Sequence, residues 1–259
     1  MLNLESISAA YPPELQWAKR FMLREYIQCK ILEILFNSPF ADRFCFIGGT
    51  CLRLIHNNRR FSEGLDFDII GLAPDDFQAT ASLLVSGLER EGLIVETKVL
   101  HSAAYHCYIR FPNILFNNQL SGHAAEKILI QIDAEAQGFS FEPEVRLLSR
   151  FDMISRIRCA PKSLLLAQKC FAILNRKRNK GRDFYDVEFL LSMDVKPDFA
   201  FLQLKASLNN TEELKTALLN HCASIDMEEM AKDVEPFLFH PGEAKKVAWF
   251  EELIVQHSF

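Results

Sequence analysis

Two aspartates alternate with large apolar residues in the segment Leu65-Asp66-Phe67-Asp68-Ile69. In a β-strand, this alternation places the apolar side chains on one face and both carboxylates on the other. The carboxylates would lie about 6.5–7 Å apart and would repel each other unless a cation or water lies between them. Because hard oxygen ligands suit Mg²⁺ or Mn²⁺, the pair indicates a divalent-metal site. A solvated edge strand is the alternative interpretation of the same pattern.

A glycine turn precedes these acids. The buried-strand pattern Phe44 to Ile47 runs directly into Gly48-Gly49-Thr50, and residues 52–55 then indicate one apolar face of a helix. Glycine lets an anion approach the main chain, and the free N–H groups at a helix N-terminus attract phosphate. A double glycine alone usually marks only a turn. Its combination with a metal-binding acidic pair favours nucleotidyl transfer, which needs a triphosphate held and metal-bridged at once.

A lysine interrupts an otherwise apolar helix further along the chain. Residues 163–174 are apolar nearly all round, and the neighbours of Lys169 at three and four residues are all apolar. We expect this helix to be buried. Lys169 therefore needs an acidic partner or a cleft. The alternative is a lysine that reaches the surface along its own stem.

The segment Gly181-Arg182-Asp183-Phe184-Tyr185-Asp186 carries two more carboxylates. Asp183 is predicted to cap a helix, with Asp186 near its positive end. The same carboxylates could serve as a general base for an acceptor hydroxyl or orient Lys169. The preceding loop, Arg176-Lys177-Arg178-Asn179-Lys180, is basic. It is either a solvated helix end or, beside a cleft, a weak site for RNA phosphates.

These motifs resemble the polymerase-β-like nucleotidyltransferase superfamily and, within it, the AbiEii/AbiGii-type toxin family of bacterial abortive-infection and toxin–antitoxin systems. The resemblance rests on Gly48-Gly49-Thr50, on the run from Arg59 to Phe67, and on Arg182-Asp183 with Asp186. It covers nearly the whole chain.

One position departs from the family pattern. Gly64 stands where the family usually has its first aspartate. Displacing the metal pair by two residues, to Asp66 and Asp68, preserves the face of the strand because the side-chain period is two. Otherwise one ligand is missing. We favour the displaced pair.

The resemblance implies a third carboxylate at Asp133, from a neighbouring strand. In the segment 127–135, Gln131, Asp133 and Glu135 share the polar face, which could also be simply solvated. The implied catalytic residues are Asp66, Asp68, Asp133, Lys169, Asp183 and Asp186, with the first three as metal ligands. The implied nucleotide-binding residues are Gly48, Gly49, Thr50, Ser62, Lys169 and Arg182. Candidate RNA contacts are Arg176, Lys177, Arg178 and Lys180.

The implied reaction transfers a nucleoside monophosphate from an NTP to an acceptor, with Mg²⁺ or Mn²⁺ as cofactor. By resemblance the acceptor is RNA, for example a tRNA end, and the protein is a toxin restrained by a separate antitoxin. Three alternatives stay open: nucleotidylation of a protein or small molecule, a phosphotransferase, and a catalytically silent module that binds nucleotide or RNA.

Composition places the chain among ordinary globular proteins. It has 259 residues, of which 49% are hydrophobic and 24% charged, and its net charge of −5 argues against a binder of bulk polyanion. Its seven cysteines lie mostly in apolar segments and predict buried, reduced thiols in a cytoplasmic protein. His101 and His106 flank a predicted turn and are interpreted as surface residues. We find no signal-peptide pattern and no membrane-spanning run.

The elements that must position these residues change character near residue 155. Periodicity predicts helices at 14–36 and 75–92 and strands at 44–47, 93–99, 105–111 and 126–135. Beyond Pro161 it predicts only helices, at 162–176, 183–192, 198–208, 211–222 and 243–256. We therefore predict an α+β fold: a nucleotidyltransferase domain of mixed sheet and helices at 1–155, and an α-helical domain at 156–259 that completes the active-site cleft.

Overall fold

The computed structural model describes residues 2–101 and 104–257. The chain forms two compact units, Met1–Ile55 with Phe61–Cys159, and His56–Arg60 with Ala160–Phe259. The sequence predicted a division between residues 155 and 156, whereas the structure divides after Cys159. It also groups the segment His56–Arg60 with the second unit, because this segment packs there against residues distant in sequence. The predicted cleft stays a prediction.

The first unit contains a seven-stranded mixed sheet in the order β3-β4-β5-β2-β1-β7-β6. The strands are β1 Phe44–Ile47, β2 Leu65–Ile69, β3 Glu96–His101, β4 Tyr105–Phe111, β5 Ile128–Glu135, β6 Glu144–Arg150 and β7 Met153–Cys159. β2 pairs with β5, and β1 with β7, in parallel, whereas the other neighbours are antiparallel. The predicted mixed sheet is confirmed.

The sequence prediction missed β6 and β7. Their pairing runs from Glu144 opposite Cys159 to Arg150 opposite Met153. Only one face of this hairpin is buried, and arginines at several positions hide the alternation in the sequence. The alternation of buried and exposed residues in β6 and β7 is therefore evident only from the pairing of the two strands. The strand predicted at 93–99 is shifted and begins at Glu96.

Helices of the first unit cover the sheet. They are α1 Leu4–Ala9, α2 Lys19–Phe36, α3 Gly48–His56, α4 Pro74–Arg90 and α5 Ile114–Asn117. The helix predicted at 14–36 is a 3-10 turn over Pro13–Ala18 followed by α2. Phe67 of β2 packs against Phe44 and Phe46, with ring centroids 5.5 and 5.4 Å apart.

A buried charge cluster fixes α3, the helix after the glycine turn. Glu25 of α2 is 2% exposed. Its Oε2 accepts a hydrogen bond from Arg53 Nε of α3 at 2.8 Å, and its Oε1 accepts one from the Tyr11 hydroxyl at 2.7 Å. Burial alone would raise the pKa of Glu25, but Arg53 and Arg150 outweigh it and lower that pKa. The ionised carboxylate thus ties α3 to α2.

The second unit is helical, as predicted. Its helices are α6 Lys162–Asn175, α7 Gly181–Leu191, α8 Phe199–Ala206, α9 Thr211–Cys222, α10 Met227–Val234, α11 Lys245–Ala248 and α12 Phe250–Gln256. The sequence prediction missed α10, which is capped by the side chain of Asp226. It also joined α11 and α12, which Trp249 separates with a non-helical ψ of 25°.

All seven cysteines are buried free thiols, which confirms the prediction from their apolar surroundings. No helix in the described ranges is long and apolar enough to cross a bilayer. The side chain of His101 lies outside the described residues.

Candidate active site

A row of register partners crosses the sheet of the first unit. Ile47 of β1 pairs with Asp66 of β2, Asp66 pairs with Asp133 of β5, and Asp133 pairs with His106 of β4. Register partners point to the same face, and neighbouring strands lie about 4.8 Å apart. The structure therefore brings Asp66 and Asp133, which are distant in sequence, onto one face of adjacent strands. It adds His106 beside them.

Gly48 makes room for the carboxylate of Asp66. It is the first residue of α3 and has a φ of +77°, a conformation that favours glycine. A Cβ added to Gly48 would lie 2.3 Å from Asp66 Oδ2. The glycine turn and the acidic strand are thus in van der Waals contact, as a joint site for phosphate and metal requires.

Gly48→Ala is expected to disrupt this contact. Gly92, whose φ is +83° and whose added Cβ would meet nothing within 4 Å, is the matched control. We expect Gly92→Ala to lower the free energy of unfolding by about 1–2 kcal/mol through backbone strain alone. Gly48→Ala should cost about 1–3 kcal/mol more because Asp66 must move. Urea unfolding of both variants measures the difference. Equal losses in the free energy of unfolding would show that a Cβ at position 48 does not clash with Asp66.

The other predicted phosphate ligands of the first unit have mixed exposure. Gly49 and Thr50 are buried, and Ser62 is half-buried. The Thr50 hydroxyl donates a hydrogen bond to the Gly64 carbonyl, and the Ser62 carbonyl accepts one from Gln28 Nε2 at 3.1 Å. These bonds pin the loop that carries Gly64 against α3 and α2. The nucleotide contacts of Gly49, Thr50 and Ser62 stay a prediction.

Asp68 differs from the expectation of an acid on an exposed face. Its side chain is only 4% exposed, and its Oδ1 accepts a hydrogen bond from the backbone N–H of Gln137 at 2.9 Å. Its register partners are Cys45 and Glu135. The prediction that Asp68 faces solvent is wrong, because the chain leaving β5 folds over it. That covering segment could not be inferred from the alternation within β2.

Asp133 is held by two neighbouring side chains. His106 Nδ1 lies 2.6 Å from Asp133 Oδ1, and Gln131 Nε2 lies 2.8 and 3.0 Å from the two carboxylate oxygens. The sequence interpretation of His106 as a surface residue missed this contact. Nothing in the local pattern of β4 reveals it, because it depends on the register between β4 and β5.

The donor set of this face fits a divalent cation only in part. Among residues 2–101 and 104–257, no three carboxylates bring their ligand atoms within 4.8 Å of one another. Asp66 and Asp133 are half-buried neighbours on one face, an arrangement that suits two oxygen ligands of one hard cation. Asp68 is buried and bonded to the main chain. The face thus fits a cation held by Asp66 and Asp133 better than one held by the displaced pair.

Lys169 lies in the second unit, where the predicted burial is confirmed. Its side chain is 10% exposed, and its Nζ is 2.8 Å from both Asp183 Oδ1 and Asp186 Oδ2. Burial alone would lower the pKa of Lys169, but Asp183 and Asp186 outweigh it and raise that pKa. The lysine is therefore a cation held between two carboxylates, and its charged end is paired instead of solvated.

Asp186 is completely buried and fully paired. Its Oδ1 accepts hydrogen bonds from Asn58 Nδ2 at 2.8 Å and Arg60 Nε at 2.7 Å, and its Oδ2 is 2.6 Å from Arg60 Nη2. Burial would raise the pKa of Asp186, but Arg60 and Lys169 outweigh it and lower that pKa. Sequence reasoning missed Arg60 as a partner. Its side chain is 1% exposed, so Asp186 acts as an internal counter-ion.

Asp183 lies in the first turn of α7, and the helix is capped at Lys180 without a side-chain bond. The prediction that Asp183 caps the helix is therefore wrong. The helix begins at Gly181, a position that only glycine fits, because an added Cβ would lie 1.8 Å from the Met230 carbonyl oxygen. Asp183 Oδ2 is instead 3.0 Å from Arg176 Nε of the basic loop.

The remaining predicted contacts of this unit lie around α7. Arg176, Lys177 and Arg178 are exposed, whereas Lys180 is half-buried. Arg182 is half-buried in the first turn of α7. The loop thus presents three exposed cations, as an RNA contact would require, although the contact itself stays a prediction.

The sequence and fold match known proteins. A family model described as "Nucleotidyl transferase AbiEii toxin, Type IV TA system" matches residues 30–250. A sequence comparison with curated proteins gives no significant match.

Solved structures share the fold at low sequence identity. The nucleotidyltransferase toxin MenT4 of Mycobacterium tuberculosis H37Rv matches with a TM-score of 0.58 and 13% identity, over 100% of this chain and 91% of that one. JHP933 of Helicobacter pylori matches with a TM-score of 0.53 and 17% identity, over 91% of each chain. These matches confirm the predicted α+β fold class with its C-terminal helices.

Proposed function

This chain belongs to the AbiEii nucleotidyl transferase toxin family of type IV toxin–antitoxin systems, and from that premise we propose that it transfers a nucleoside monophosphate from an NTP to a hydroxyl group of RNA. The acceptor oxygen forms a bond to the α-phosphorus, and the bond from that phosphorus to the β-phosphate oxygen breaks. Pyrophosphate leaves, and a carboxylate takes the hydroxyl proton. A tRNA end is the proposed acceptor, and a separate antitoxin protein is the proposed restraint.

The row formed by Asp66, Asp133 and the glycine turn carries this proposal. Asp66 and Asp133 would hold Mg²⁺ or Mn²⁺, which neutralises triphosphate charge and activates the hydroxyl when bound. Gly48 and Gly49 offer main-chain N–H groups at the start of α3 to the phosphates. The contact between Gly48 and the Asp66 carboxylate supports one site for both.

The cations of the second unit have proposed roles of their own. Lys169 donates hydrogen bonds to Asp183 and Asp186, and we propose for its third N–H the nucleotide contact that the family resemblance implies. Asp186 is 0% exposed, so we propose that it orients Lys169 and does not contact the substrate. Arg176, Lys177 and Arg178 would hold the RNA backbone.

Gly64 favours a second candidate, a catalytically silent nucleotide- or RNA-binding module. It occupies the position where the family pattern has an aspartate, and its carbonyl is bonded to Thr50 instead. An aspartate there would be tight, because a Cβ added to Gly64 would lie 3.1 Å from the Gln131 carbonyl oxygen. The silent module would retain the glycine turn and the basic loop.

Labelled nucleotides separate the candidates. The protein is incubated with total cellular RNA, Mg²⁺ and each NTP labelled at the α- or the γ-phosphate. We expect label in RNA from the α-phosphate only. Transfer from the γ-phosphate only would indicate a phosphotransferase. Label from the α-phosphate in protein or in small molecules would show that the acceptor is not RNA. NTP binding without transfer from either position would contradict nucleotidyl transfer and support the silent module.

A further inference from the structure

The Asp133 carboxylate accepts more than one side-chain hydrogen bond. Gln131 Nε2, two residues earlier on β5, reaches both oxygens. His106 Nδ1 approaches Oδ1 from the neighbouring strand at 2.6 Å. An ionised carboxylate only accepts hydrogen bonds, so the Nδ1 atom of His106 is the donor. The histidine therefore restrains the carboxylate from the side opposite Asp66 in the register row.

This hydrogen bond has little to contribute to the stability of the fold. The His106 and Asp133 side chains are 30% and 37% exposed. Exposed pairs of this kind typically contribute little to stability. A short charge-assisted bond does, however, fix the orientation of a carboxylate that would otherwise rotate. The geometry is that of a partner that orients a ligand.

We propose that His106 is a positioning residue, whose Nδ1–H···Oδ1 bond holds the Asp133 carboxylate where it and Asp66 bind one divalent cation. The inference rests on the proposed function. Hydrogen-bonding partners of metal ligands typically change metal affinity by about 10–100-fold when they are removed. The effect should therefore appear in metal binding itself and not only in turnover.

Two substitutions at His106 distinguish the role of its hydrogen-bond donor from the role of the rest of the imidazole ring. Asn Nδ2 occupies nearly the same place as His Nδ1, since both nitrogens are bonded to Cγ, so His106→Asn keeps the donor. His106→Leu removes it at similar volume. His123→Leu, at an exposed histidine outside the row of register partners, is the matched control.

The experiment is calorimetric titration of each full-length variant with Mn²⁺ in the absence of nucleotide, after circular dichroism has verified the fold. We expect His106→Leu to weaken Mn²⁺ binding by about 10–100-fold. His106→Asn should stay within about threefold of the unmodified protein, and His123→Leu should not change it. In the RNA-labelling assay, kcat at saturating NTP should fall for His106→Leu and recover for His106→Asn.

Each other outcome overturns the proposal in a different way. Unchanged Mn²⁺ affinity in a folded His106→Leu variant would leave Asp66 and Asp133 as ligands and remove only the role of His106. Equal losses in the Leu and Asn variants would show that the donor is not what matters. If the unmodified protein binds no Mn²⁺ and transfers no label, the proposed function itself fails.

Discussion

Arg60→Met is expected to lower the free energy of unfolding by about 3–5 kcal/mol, because it takes the arginine partner from a buried carboxylate. Arg60 and Asp186 are 1% and 0% exposed, and three donor contacts from Arg60 and Asn58 surround the Asp186 carboxylate. Methionine fills a similar volume but leaves the buried carboxylate with Lys169 and Asn58 only. A buried charge that loses its partner costs far more than the pair contributes.

The neighbouring arginine provides the matched control. Arg59 has a 59% exposed side chain, and its nearest carboxylate oxygen, on Glu243, is 3.9 Å away. We expect Arg59→Met to change stability by no more than about 0.5 kcal/mol. Urea unfolding followed by circular dichroism measures both variants. Similar, small losses for Arg59→Met and Arg60→Met would show that Asp186 does not depend on Arg60.

A double substitution tests the cause. Arg60→Met combined with Asp186→Leu removes the uncompensated carboxylate together with its partner. We expect it to be more stable than Arg60→Met alone, because apolar groups of similar volume can replace a buried ion pair. A double variant that is less stable than either single variant would mean that packing, and not charge, dominates at this position.

Asp66→Asn is expected to reduce transfer of α-label to RNA by about 10²–10³-fold, with the fold retained. Asn keeps the shape of the side chain and one oxygen but loses the charge that a divalent cation needs. Asp66 is half-buried beside the Gly48 turn and in register with Asp133, where the proposed cation and triphosphate would bind. Initial rates at saturating NTP measure the loss.

Asp68→Asn is the informative control. The amide retains Oδ1 as the acceptor for the Gln137 N–H. Asp68 is buried, so the substitution removes no solvent-exposed carboxylate from the proposed site. We expect its transfer rate to stay within about tenfold of the unmodified protein, with a stability loss of about 1–3 kcal/mol from the altered buried charge. A loss of transfer as large as that of Asp66→Asn would instead support the displaced pair Asp66 and Asp68. Asp75→Asn, at an exposed acid of α4, should change neither quantity.

The local sequence predicted those features that depend only on residues close together in the chain. The apolar run at β1 followed by glycines predicted the strand, the turn and α3, because turn chemistry and alternation act over a few residues. The apolar surroundings of Lys169 predicted its burial and its need for an acidic partner, since a buried charge cannot be left unpaired. The motif spacing also led to the correct family.

The tertiary structure decided which side chains meet. Strand order and register placed Asp133 and His106 beside Asp66, and neither is determined by alternation within a single strand. The segment after β5 buried Asp68, and the grouping of His56–Arg60 with the helices supplied Arg60 as the counter-ion of Asp186. The sequence by itself determined the kinds of chemical groups present and the faces they occupy. Pairing between distant segments decided their partners and exposure, because such contacts depend on the packing of the whole unit.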